Sequence, residues 1–245
     1  MGGGLGYMRY ELIRTFRERR LFIFSFGFPL ALYFIIVASN NARAEDFQGL
    51  GISFALYYMI GMASFGTMMS MMSSGFRIAG ERQAGWTRQL RITPLSSRSY
   101  LRAKVLTAYT LAALSLLALY VAGATMGVSL PAQTWLEMTA LIAVGLLPLA
   151  ALGIALGHLL TVDSTGPATG GIISLLAIVG GAYFPPQGVL KEIGELFPSY
   201  WIVQAGRVAV DGHAWGVKGW VVVLGWTVVL TLIAAVAFRR DTGRV

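Results

Sequence analysis

Few side chains in this sequence could do covalent chemistry, and their spacing rules most of it out. No cysteine occurs among the 245 residues, which excludes disulfides, thiol nucleophiles and thiolate metal sites. His158 and His213 fall far apart, in separate predicted loops. A lone loop histidine is ordinarily solvated, so no metal site is read from either. The three lysines, Lys104, Lys191 and Lys218, follow alanine, leucine and valine. Without a glycine-rich stretch ending in Gly-Lys, the chain cannot bind ATP through a P-loop of its own. The H-E-x-x-H and G-x-S-x-G patterns are also missing. No catalytic residue is expected, and the chain is not read as an enzyme.

What remains is recognition chemistry, carried by basic, aromatic, proline and methionine residues, and the elements that hold them are hydrophobic. Of all residues 56% are hydrophobic and only 12% are charged, too few charges to coat a soluble domain of this length. The apolar residues come in blocks of about 17–25, the length that crosses a hydrocarbon core of about 30 Å. Six spans are expected, over residues 21–39, 50–73, 103–128, 135–160, 168–184 and 220–238. The fold class is therefore an all-α membrane protein. The spans carry almost no ionisable groups, which argues against ion coupling inside the chain.

The basic residues set the orientation. Fifteen of the 19 Lys and Arg residues lie before the first span, between the second and third, or after the sixth. Only Arg43, Lys191, Arg207 and Lys218 fall on the other side. The positive-inside rule then places both termini in the cytoplasm, in a multi-pass protein of the cell membrane. The net charge of +8 is accounted for by these loops, and no nucleic acid partner is inferred from it. A basic leader, an apolar stretch and Ala42-Arg43-Ala44 imitate a cleavable secretory signal, but the apolar block is long and five more follow, so it is read as a retained span.

Three segments are more than simple spans. Within residues 1–20, Leu5, Met8, Leu12 and Phe16 recur at spacings of three and four among Arg9, Glu11, Arg14 and Arg17, which predicts a helix lying at the inner membrane interface. The alternative is a basic leader that only enforces orientation. The loop Ser74–Lys104 is too polar to be buried in lipid. Residues 81–95 read as a short helix ending before Pro94, and Ser96 or Ser97 can cap the next helix. A loop that only reconnects two spans could be much shorter, so this one suggests a docking element. On the other side, Pro185 and Pro186 stop the fifth span. Residues 185–210 then read as a broken, re-entrant outer segment, because an apolar stretch of about eleven residues is too short to cross.

The stretch Glu81-Arg82-x-x-Gly85-x-x-x-Gln89-Leu90-x-x-Thr93-Pro94-Leu95-Ser96, with Tyr100, Leu101 and Lys104 after it, resembles the cytoplasmic loop signature of ATP-binding-cassette type-2 permeases. Gly180-Gly181-x-Tyr183-Phe184-Pro185 and Phe197-Pro198-x-Tyr200 are similar to that family's outer segment between the fifth and sixth spans. The resemblance runs over nearly the whole chain and departs from the pattern at Trp86, where many members carry threonine.

The resemblance implies the membrane subunit of an exporter for a drug, antibiotic or lipid-like amphiphile. ATP and magnesium would be held by a separate P-loop ATPase subunit, and the permease would pair with a second copy or a relative. On this basis 81–95 is the coupling helix, with Glu81, Arg82, Gly85, Trp86, Arg88, Arg91 and Pro94 facing the ATPase. The substrate pathway would draw on Tyr57, Thr67, Met68, Met69 and Met72 of the second span, although lipid-facing filler is an equal explanation of its methionines. Tyr183, Phe184, Pro185, Pro186 and Pro198 would form an outer gate. Gly153-x-x-x-Gly157 and Gly123-x-x-x-Gly127 could serve contacts within or between subunits. A secondary carrier or channel without an ATPase is the competing function.

Overall fold

Apolar blocks of this length fold as helices because a helix satisfies its own backbone polar groups where water is absent. A computed structural model describes residues 2–18, 23–39, 47–86, 96–208, 212 and 215–242, and every regular element among them is helical. Helix α1 spans Gly2–Arg17, and a π-helical turn over Ile23–Gly27 leads into α2, Phe28–Ser39. Next come α3, Phe54–Gln83; α4, Ser97–Thr125; α5, Ala132–Gly145; and α6, Leu147–Leu159. Helix α7 is Val162–Gly180, followed by the short α8, Val189–Gly194, and α9, Pro198–Gln204. A 3₁₀ turn over Ala205–Arg207 and the long α10, Val217–Thr242, complete the described chain.

Among the described residues, four helical stretches are long and apolar enough to cross a membrane: Ser97–Thr125, Ala132–Leu159, Val162–Gly180 and Val217–Asp241. The stretch Ser25–Ser39 is apolar but shorter. Helix α3 is different. Its thirty residues reach about 45 Å at 1.5 Å per residue, yet serine, glycine and charge lower its hydropathy. Its position explains the composition. It packs against α2, α4, α6 and α7, and almost every residue from Phe54 to Glu81 is buried. A helix surrounded by protein needs small, close-packing residues more than it needs a lipid-soluble surface.

Helix ends follow local chemistry. Ser53 and Ser96 cap α3 and α4, their hydroxyls accepting from the backbone N–H of Leu56 and Ser99 at 3.2 Å each. The cap at Ser96 is one of the two expected. The predicted span 135–160 is divided at Leu146. Pro148 supplies no N–H and its ring crowds the carbonyl four residues back, so the helix breaks there and restarts. Thr161 opens α7 earlier than expected, with its N–H donating to Ser164 Oγ at 3.1 Å.

The seam between α3 and α6 is a glycine contact. A Cβ on Gly75 would sit 2.6 Å from the Gly153 carbonyl oxygen, and one on Gly157 would sit 2.9 Å from that of Gly75. The Gly153-x-x-x-Gly157 motif thus serves packing within the subunit. Gly123 likewise packs on Met59, whereas Gly127 lies past the end of α4 in a left-handed turn. Helix α10 faces the other way: Val223, Leu230, Ala234 and Ala237 are buried, while Val221, Leu224, Val228 and Leu232 form an exposed stripe at spacings of three and four.

Candidate functional site

Three of the charged residues that the sequence assigns to a polar loop lie inside the protein, while Arg98 and Arg102 are exposed. Helix α3 does not stop at Ser73. It continues to Gln83 because Phe76, Ile78 and Ala79 keep an apolar face, and the next left-handed glycine after the start of α3 is Gly85, at φ +70°. Residues 81–83 therefore end the long helix, and no separate helix begins at Glu81. Arg77, Glu81 and Lys104 are buried in protein rather than exposed in a loop.

Lys104 is completely buried, and its ammonium is 2.6 Å from Glu11 Oε1 and 2.5 Å from Glu81 Oε1. The Tyr100 ring lies 5.3 Å away, and the Tyr100 hydroxyl donates to Glu81 Oε2 at 2.6 Å. Arg14 Nη1 adds a 2.7 Å ion pair to Glu81 from a side chain that is 43% exposed. Arg77 donates to the Thr15 hydroxyl and lies 3.9 Å from Glu11. Two buried carboxylates thus face one buried lysine and two arginines. Burial disfavours the Arg14 charge, but Glu81 and Glu11 beside it hold its pKa above the ordinary arginine value. Burial, reinforced by Glu81 and Glu11, pushes the Tyr7 hydroxyl well up, so it stays a neutral donor.

The inner stripe of α1 is consequently Tyr7, Glu11 and Thr15, four residues apart, with Glu11 and Thr15 fully packed. This differs from the apolar stripe expected over Leu5, Met8, Leu12 and Phe16. Tyr10, Ile13 and Phe16 are the large apolar residues left exposed.

The next residue of α3 anchors the other side. Arg82 Nε lies 2.8 Å from Asp241 Oδ2 on α10, and Arg82 Nη1 donates to the carbonyls of Gly157 and Leu160 at 3.0 and 3.2 Å. His158 Nδ1 is 3.0 Å from the same Asp241 oxygen, and Phe238 packs edge-on against its ring. His158 is therefore a buried residue at the end of α6, not a solvated loop histidine; His213 lies outside the described residues. Through Glu81 and Arg82 the end of α3 is tied to α1, α4, α6 and the C-terminal turn of α10.

Among the expected docking residues, Glu81 is only 2% exposed, so its carboxylate holds helices together rather than offering a surface. Gly85 forms an exposed turn and Trp86 is half-buried beyond it. Arg88, Arg91 and Pro94 lie outside the described residues, as does Ala42-Arg43-Ala44.

The methionine face differs from both explanations of it. Met59, Met62, Met68, Met71 and Met72 are fully buried in the central core, lining neither an open passage nor the lipid. Thr67 is spent on its own helix, donating to the carbonyls of Ala63 and Ser64 at 2.9 Å. Met69 is half-buried against the same core. Flexible thioethers fill the irregular space between five packed helices.

At the opposite end, a cavity of about 340 Å³ opens among α3, the end of α7 and the segment after it. Tyr57, Pro185 and Pro186 line it. The Tyr57 hydroxyl donates to the Gly181 carbonyl at 2.5 Å, pinning the left-handed turn that ends α7. Tyr183 packs against Phe65, Phe184 is exposed, and Pro198 opens the buried helix α9. Of the expected gate residues, Pro185 and Pro186 thus line this cavity, and α9 packs on α5, α7 and α10.

Residues 40–237 match the model of the ABC-2 family transporter protein. The chain belongs to this family. It is also 25% identical over 236 residues to "Putative transport permease YvfS" of Bacillus subtilis (strain 168), covering 94% of this chain and 95% of that protein. No solved structure matches the chain. The resemblance drawn from the loop and outer-segment motifs is thereby borne out at family level, and several long apolar helices fit a multi-pass ABC-2 permease.

Proposed function

We propose that this ABC-2 family member is the permease subunit of an ATP-driven exporter that moves an amphipathic drug, antibiotic or lipid-like molecule across the cell membrane. It crosses six times, with α2 and α3 joining the four long apolar stretches, and both termini are cytoplasmic, as the basic residues imply. A separate P-loop ATPase subunit holds ATP and magnesium, and a second permease copy or a relative completes the translocating unit.

The observation that carries this reading is the double anchor at the end of α3. Glu81 and Arg82 join that end to four other helices. A push on the segment from Trp86 onward is therefore delivered to the whole helical block and not absorbed by a slack loop. Because packed cores have discrete arrangements, such a push favours a second packing in which the segment after Pro185 moves and the opposite end opens.

Affinity purification of the chain from its native membranes tests the proposal. A P-loop ATPase of comparable stoichiometry is expected to co-purify, and its removal should leave the permease without nucleotide binding. A permease recovered without any nucleotide-binding partner, yet active in transport, would establish a carrier or channel instead.

A further inference from the structure

The cavity beneath Pro185 and Pro186 carries a chemical signature beyond its place in the fold. Two of its lining residues are cations, Lys191 on α8 and Arg207 on the 3₁₀ turn, while Gln48, Gln187 and Gln204 add amide groups. No acidic residue among the described residues lines it. The nearby carboxylate of Glu195 is engaged elsewhere, 2.5 Å from Lys218. Neither Lys191 nor Arg207 forms an ion pair with any described residue, whereas Lys104, Arg14, Arg77, Arg82 and Lys218 all do. Charged side chains gathered around a recess without a counter-charge among the described residues suit an incoming anion, and guanidinium and amide donors together suit the oxygens of phosphate or carboxylate.

The rim is apolar. Phe184 is 46% exposed and Val189 70% exposed, each next in sequence to a lining residue. A ligand with both a charged head and a hydrocarbon part would satisfy the recess and the rim together.

We propose that this cavity binds the anionic head group, phosphate or carboxylate, of an amphipathic molecule whose apolar part rests on the bilayer-facing rim. Binding here requires neither the ATPase nor transport, so the site stands or falls independently of the exporter reading.

The test uses the purified full-length chain in neutral detergent, with dihexanoyl phosphatidylglycerol, dihexanoyl phosphatidylcholine and inorganic phosphate as calorimetric probes. The anionic lipid should bind roughly tenfold more tightly than the neutral one, the scale of one charge-assisted contact. Lys191→Gln and Arg207→Gln should each erase most of that preference, and Arg207→Lys should retain most of it. Lys218→Gln, outside the cavity, should leave it unchanged. Lys191 is exposed, so its variant reports on binding even if Arg207→Gln disturbs folding. Competition by phosphate alone would support a site that reads the head group by itself. Lack of competition, with the lipid preference intact, would support one that requires a lipid. Equal affinity for the two lipids, or a preference that survives both glutamine variants, would overturn the proposal.

Discussion

Lys104→Met is expected to destabilise the chain by about 3–5 kcal/mol, the usual cost of breaking a buried ion pair from one side. Methionine fills nearly the same volume, so the loss is electrostatic. Glu11 and Glu81 would remain buried within about 3 Å of a site that no longer holds a charge. Arg14 and Arg77 cannot replace the ammonium: one already reaches Glu81 from the surface, and the other is 3.9 Å from Glu11. Thermal denaturation in detergent, followed by fluorescence-detected size exclusion, should show a midpoint lower by about 10 °C, since each kcal/mol moves a chain of this size by roughly 2–4 °C. Adding Glu81→Gln to Lys104→Met should recover part of the loss, because it removes one of the stranded charges. A single variant that melts with the wild type would mean that the cluster does not hold α1, α3 and α4 together.

The second large effect concerns one substitution made twice on one helix. Gly75→Ala places a methyl 2.6 Å from a backbone oxygen of α6, and backbone cannot rotate away as a side chain can. Helices α3 and α6 must separate, at a cost of about 1–3 kcal/mol. Gly80→Ala, five residues later, meets nothing within 4 Å. There the methyl should stabilise by about 0.5–1 kcal/mol, because alanine loses less backbone freedom than glycine on forming a helix. Opposite shifts in melting temperature are therefore expected from the same chemical change. Shifts of the same sign would contradict the close α3–α6 approach.

The two predictions rest on features of unequal legibility in the sequence. The apolar blocks are readable because span length is set by the bilayer and the start of α4 by Ser96, whereas the break before Pro148 and the end of α7 at Gly181 go unmarked by hydrophobicity. The family motifs were readable too, being local runs. The ion cluster was not. Glu11, Glu81 and Lys104 are far apart in the chain, and the sequence has no period that joins them. A signal did exist: Lys104 stands alone in the first turns of an apolar helix, and a lysine there must either reach water or find a carboxylate. Glu11 lies between Tyr7 and Thr15 on one face of α1, a face that hydrophobicity alone does not mark. The methionines of α3 misled for a related reason. Composition shows that the helix is apolar and adaptable, but whether it faces lipid, ligand or neighbouring helices depends on tertiary packing. The glycines left the same ambiguity, which the opposed carbonyls of Gly75 and Gly153 resolve. Nothing local marks His158 as buried, because its partner, Asp241, comes from the other end of the chain.

Reconstitution most directly tests whether the chain works as an externally powered permease. Inverted proteoliposomes containing the permease and its co-purified ATPase would be loaded outside with a fluorescent amphiphile that the intact cells expel. Uptake is expected to require ATP and magnesium and to vanish when the ATPase subunit is omitted. Uptake that proceeds at the same rate without ATP, or with the permease alone, would contradict external powering.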